Sequence, residues 1–151
     1  MDAIKRMVDE NGPIHKDHLK RLIAKRFGVR MGRKISGTLD GMVATAVTAA
    51  RIKIEGDFLW SFDMSSVPLR IQTDGPAQRK IDEIPPEELS LAILKCVTNA
   101  VGISNSDLVR ETARLFVLRV TTKVSKIIHE IILRMLEDGT LRSQDDKIVV
   151  G

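Results

Sequence analysis

Apolar positions along the chain keep a helical period three times, fall to a period of two, and then repeat that succession. Ile4, Met7 and Val8 mark one face of a short helix that stops at Asn11-Gly12-Pro13, a strong breaker. Ile14 and Leu19 then flank His15-Lys16-Asp17-His18. With His15 as N-cap they occupy the N′ and N4 places of a hydrophobic staple, which predicts a second helix over about 16–27. Ile35, Leu39, Met42, Val43, Ala46 and Val47 hold the i, i+4, i+7, i+8 spacing of a third helix with one buried face. Alternation follows: Arg51-Ile52-Lys53-Ile54, a Glu55-Gly56-Asp57 turn and Phe58-Leu59-Trp60 predict a hairpin.

Residues 63–84 interrupt the pattern. They are polar, acidic and broken by Pro68, Gly75 and Pro76, so a linker is expected, with Val67-Leu69-Ile71 extended within it. Pro85-Pro86-Glu87-Glu88 then opens a new helix, with proline in the first turn and acids where the helix dipole favours them. Ser104 as N-cap and Asp107 at N3 approximate a capping box for the next helix, over about 105–116. Val124, Ile127, Ile128, Ile131, Ile132, Met135 and Leu136 mark the third of this set. Thr140-Leu141-Arg142, Ser143-Gln144-Asp145-Asp146 and Lys147-Ile148-Val149-Val150 predict a second hairpin.

An offset of 89 residues, without a gap, pairs Ile4 with Ile93, Ile14 with Ile103, Leu19 with Leu108, Leu39 with Ile128 and Ile52 with Leu141. It also pairs Arg30 with Arg119 and Lys34 with Lys123. Apolar matches alone could come from unrelated amphipathic helices, whereas cations matching in the same register point to two copies of one unit. Three helices followed by a hairpin is the winged-helix arrangement. The expected fold is therefore mainly α with small β-hairpin wings (α+β), as tandem winged-helix repeats. Repeat 1 is expected over 1–62, a linker over 63–84 and repeat 2 over 85–151. One position resists the symmetry. Gly28 suits a left-handed C′ residue closing the second helix, but its counterpart Val117 is β-branched, which predicts a different turn there.

Units of roughly 60 residues are marginal alone and are expected to share an interface. Aromatics are scarce (Phe27, Phe58, Trp60, Phe62 and Phe116), which asks for an aliphatic core. No run of about 18 apolar residues predicts a membrane span, and no signal-peptide layout opens the chain. Cys96 is the sole cysteine, so no intrachain disulfide can form, which suits a reducing cytoplasm.

Catalytic chemistry finds little support in the residues. No phosphate-binding Gly-x-x-x-x-Gly-Lys-Ser/Thr is present, and no nucleophile stands beside a base. His15 and His18 sit three apart, but a zinc site wants three or four converging ligands, and Asp17 and Cys96 do not supply them. Asp57, Asp145 and Asp146 fall at hairpin turns and read as turn chemistry. No enzyme activity, cofactor or metal is expected.

Several strings resemble a bacterial family. These are Gly12-Pro13-Ile14-His15, Ala24 to Phe27-Gly28 with Arg30, Gly32 and Ile35, Gly56-Asp57-Phe58-Leu59-Trp60, Arg79 to Ile84-Pro85-Pro86-Glu87-Glu88, and Ala113-Arg114-Leu115-Phe116. Together they are similar to an uncharacterised domain at the C-terminal end of large helicase-like proteins. There a superfamily-1 ATPase core is followed by a nuclease-like module related to very-short-patch repair endonucleases. The resemblance spans nearly the whole chain. It implies company with helicase and nuclease domains of the same protein rather than a known activity of this piece. Val117-Leu118-Arg119-Val120-Thr121 departs from the glycine-containing pattern expected in the second copy.

Charge narrows the candidate partners. Residues 1–61 hold 12 Lys/Arg against 7 Asp/Glu, residues 62–88 hold 3 against 6, and residues 89–151 hold 9 against 7. Arg30, Arg33 and Lys34 precede or open the third helix of the first copy, as Arg119, Lys123 and Lys126 do in the second. Cations are unfavourable at that pole of a helix by a few tenths of a kcal/mol each, and a neighbouring anion reverses the sign. A helix-turn-helix brings this point to DNA, so phosphate is the expected anion and these six residues the expected contacts. Pairing of these arginines with acids of helix 2 or the linker, as of Arg30 with Glu10 or Asp17, is the plain structural alternative. Phe58, Trp60 and Phe62 alternate as base-stacking rows do, with core packing the preferred role. The competing function is a protein-docking or dimerisation module with no DNA contact.

Overall fold

The computed structural model describes residues 2–151, with side chains from Ala3 onward. It divides into two compact units, Met1–Val67 and Pro68–Gly151, each with its own apolar cluster. The class is mixed α+β: helices dominate and two small antiparallel sheets accompany them.

The first unit runs α1 (Asp2–Asn11), β1 (Ile14–His15), α2 (Lys16–Arg26), α3 (Arg33–Thr48), β2 (Ile52–Glu55) and β3 (Phe58–Ser61). His15 caps α2 as its sequence position predicts, its ring Nδ1 accepting from the Asp17 N–H at 3.1 Å. Ile4, Val8, Leu19, Leu39, Ile52 and Leu59 form the centre of the core, which draws one face from every helix and from the hairpin. Truncating any of the larger ones would cost roughly 2–5 kcal/mol. Lys20 bridges α2 to α3 through Ser36 and Asp40. Gly12 sits where a Cβ would lie 2.5 Å from the Val8 carbonyl oxygen, a backbone approach that only glycine permits.

The second unit begins well before the helix expected to open it. Residues 68–84, expected as linker, pack onto this unit from Pro68 on. Ile81 and Ile84 are buried in its core, Leu69 lies against it, and the Gln72 N–H donates to the Leu115 carbonyl at 2.9 Å. The physical reason is a buried ion pair. Arg79 holds Glu88 of α4 with both terminal nitrogens, and that anchors the strap around Phe116. After a 3-10 turn at Ile81–Glu83 come α4 (Pro86–Asn99), α5 (Asn105–Leu115), α6 (Thr122–Glu137), β4 (Leu141–Gln144) and β5 (Lys147–Val150). Ser104 caps α5 by accepting from the Asp107 N–H at 3.2 Å.

Both ends of α2, α3, β2 and β3 coincide with those of α5, α6, β4 and β5 at the offset of 89 residues. The pairing that joins Ile14 to Leu59 in the first unit recurs between Ile103 and Ile148 in the second. Left-handed residues coincide too: Gly28 at φ 63° with Val117 at 56°, Ala50 at 57° with Gly139 at 84°, and Gly56 at 59° with Asp145 at 51°. The turn after α5 therefore does not differ from its counterpart, contrary to expectation. The same bonds close both turns, Val29 N–H to Ala24 carbonyl at 2.9 Å and Leu118 N–H to Ala113 carbonyl at 3.0 Å. Val117 accepts a strained φ so that these bonds form and Phe116 stays in the core.

Candidate nucleic-acid interface

A helix start exposes N–H groups and a positive pole, which proteins ordinarily offset with a side-chain cap or a nearby acid. Of helices α2 to α6, α3 alone has neither. Its N-cap is Gly32, extended at φ −130° and ψ 178°, with no side-chain cap bond and no acid in the first turn. Into that first turn the sequence puts Arg33 and Lys34, with Arg30 three residues earlier, and all three are exposed. None of the three forms an ion pair among the described residues. Pairing of Arg30 with Glu10 or Asp17 is thus not formed.

Three cations at an uncapped positive pole are an arrangement that an anion would stabilise. A Cβ at Gly28, Gly32, Gly37 or Gly41 would meet nothing within 4 Å. That leaves the backbone of the turn and the outer face of α3 open to approach.

The second unit places its equivalents differently. Thr121 caps α6, its hydroxyl accepting from the Val124 N–H at 3.2 Å. Lys123 donates to Asp82 at 3.0 Å, a carboxylate brought in by the strap. Arg119 lines a shallow hollow with Arg110 and Arg114, which are themselves paired with Asp107 and Glu111. Lys126 stands one turn into α6, exposed, beside Ser125 and His129. Divided by unit, residues 1–67 carry 12 Lys/Arg against 8 Asp/Glu and residues 68–151 carry 12 against 12. The whole net charge of +4 therefore belongs to the first unit.

The row of alternating aromatics does not hold together as a surface. Phe58 is half-buried, its ring edge-on to His15 at 5.4 Å between centroids. Trp60 is 8 % exposed, a buried residue as core packing requires, and its strand neighbour Leu59 has no exposed surface. Phe62 lies past the end of β3, exposed.

One exposed aromatic falls outside the periodic pattern. Phe27, the C-cap of α2, is 63 % exposed, and Lys25, Arg26, Arg30, Arg33 and Lys34 flank it along the chain. Its counterpart Phe116 is 3 % exposed. The signal in the sequence is the run of five cations without an acid across residues 25–34.

No helix among the described residues is long and apolar enough to cross a membrane. Comparison of the chain with protein-family models, with curated proteins and with solved structures finds no match.

Proposed function

We propose that this chain is a non-catalytic nucleic-acid-binding module made of tandem winged-helix units, in which the start of α3 contacts DNA phosphates. One observation carries the reading: α3 begins without cap or acid, and Arg30, Arg33 and Lys34 around that pole are exposed and unpaired. In a helix-turn-helix this point meets the backbone at the edge of the major groove, where phosphate would complete the pole. Helix, helix, helix and hairpin in each unit, in one register, support the winged-helix assignment. The second unit, with a capped and partly neutralised α6, acts mainly as scaffold. The resemblance of several strings to helicase-like proteins supports a place beside ATPase and nuclease domains, where such a module would hold duplex or forked DNA for the motor.

The test is a titration of labelled duplex DNA at several salt concentrations, with wild type and the Arg30→Ala/Lys34→Ala variant. The slope of log affinity against log salt should become shallower by roughly 0.9 for each phosphate the variant no longer neutralises, with little dependence on DNA sequence. An unchanged slope and affinity in the folded variant would overturn DNA binding. Protein docking is the second reading. The zero net charge of the second unit favours it there, as do Val101 and Val150, exposed beside Val97 and Val149 in a shallow hollow.

A further inference from the structure

On the premise that the first unit binds DNA, we propose that Phe27 is a stacking platform for an unpaired base. The module would then recognise the junction between duplex and single strand rather than duplex alone. The equivalent ring of the second unit shows what is missing. Phe116 is capped by the strap, with the planar guanidinium of Arg79 over its ring at 5.4 Å from the centroid. The same fold position in the first unit leaves the ring of Phe27 with 63 % of its surface exposed.

The backbone that carries Phe27 is held in place. Its N–H donates to the Ile23 carbonyl at 3.0 Å, and Val29 closes the turn onto Ala24 at 2.9 Å, with Gly28 left-handed between them. With the backbone fixed, the ring has only its own two side-chain torsions to lose on binding. An exposed apolar ring costs solvation free energy unless something covers it. The cover must also suit the surroundings. From Lys25 to Lys34 the chain carries five cations and no acid, and Val29 is the other exposed large apolar side chain there. A ligand that is flat enough to lie on a ring and anionic enough for those cations is a nucleotide with its base unstacked. Base stacking on aromatic side chains is tolerant of sequence, and phosphates flanking that base would reach the start of α3.

The experiment compares wild type, Phe27→Ala and Phe27→Tyr on three probes. They are a blunt duplex, the same duplex with a single-stranded tail carrying 2-aminopurine at its first unpaired position, and phosphatidylglycerol-containing vesicles. Because Phe27 is exposed, Phe27→Ala should keep the fold, which circular dichroism checks. Stacking predicts that wild type quenches 2-aminopurine, and that Phe27→Ala abolishes the quench and weakens tailed DNA about tenfold or more while changing blunt-duplex affinity by less than about threefold. Phe27→Tyr should restore both signals. Equal losses on blunt and tailed DNA, or no loss on either while wild type binds duplex, would overturn the platform and leave the phosphate contacts standing. Wild type binding neither DNA would overturn both. Vesicle binding that depends on Phe27, with DNA binding unaffected, would assign the ring to a lipid surface instead.

Discussion

Arg79 grips Glu88 with both prongs of its guanidinium, Nη1 to Oε1 and Nη2 to Oε2, each at 2.8 Å, and Glu88 has no exposed surface. The same Nη2 donates to the Arg70 carbonyl at 3.0 Å, and the Arg70 N–H donates to Glu88 at 3.1 Å. A segment with few apolar residues is thereby bound to α4 through a carboxylate that is satisfied on both oxygens.

Removing one partner of a buried pair strands the other charge. Arg79→Ala should therefore destabilise the second unit by about 3–5 kcal/mol, while Arg79→Met/Glu88→Met should cost much less than the single change. Urea unfolding followed by circular dichroism measures both. A single variant as stable as wild type would mean the pair is solvated and the strap loosely held.

Gly37 and Gly41 each face open space on α3. Changing either to alanine should stabilise the first unit by about 1 kcal/mol, raising its melting temperature by roughly 4–8 °C. A fall in stability would show that the outer face of α3 is in contact with something after all.

Val117 and Gly28 form a matched pair of tests. Val117→Gly relieves a left-handed β-branched residue but frees the unfolded chain, for a net gain of up to about 1 kcal/mol. At Gly28 a Cβ meets nothing within 4 Å, so the left-handed backbone sets the main cost of Gly28→Val, about 1–3 kcal/mol. Thermal unfolding of the two variants should move in opposite directions.

What the sequence makes legible depends on distance along the chain. Caps act over three residues, so His15 and Ser104 locate their helices from local chemistry alone. Hairpin turns are equally local, and Asp145-Asp146 both take positive φ as such turns demand. The strap is not legible, because Leu69, Ile81 and Ile84 follow no helical or strand period, and Arg79 is fixed through Glu88 on the next helix. Val117 defies its residue preference because the bonds that close the turn around it outweigh the strain of one φ. At the candidate interface, the cations are visible in the string. Their freedom from partners, and the exposure of Phe27 where Phe116 is covered, emerge only in three dimensions.

The two units should differ in any DNA titration. Lys123 already holds Asp82 and α6 is capped, so Arg119→Ala/Lys123→Ala should shift the salt slope far less than the roughly 0.9 per phosphate expected for the first unit. Parallel titrations of the two double variants check this. Equal effects would make both units DNA-facing.

Acid should act through α1 and β3. Hydrogen bonds from Lys5 first, and from Ser61 at 2.7 Å, hold the Asp9 carboxyl below the usual aspartate value. Its stabilising contribution is complete above about pH 4 and is lost as pH falls through the lowered folded value. Melting temperatures measured from neutral pH downward should drop less steeply on the acid side for Asp9→Asn than for wild type. Parallel curves would leave Asp9 without a role in the acid limb.

Trp60 has an optical consequence. The chain has one tryptophan and no tyrosine, so its intrinsic emission arises at a single site within the first unit. That indole is buried, with no hydrogen-bond partner for its Nε1 among the described residues. Emission should be blue-shifted in the native chain and move to the red as the first unit opens. The second unit, whose aromatic residue is Phe116, is dark by comparison. Fluorescence and circular dichroism recorded on the same denaturation would thus separate the melting of the two units without cutting the chain.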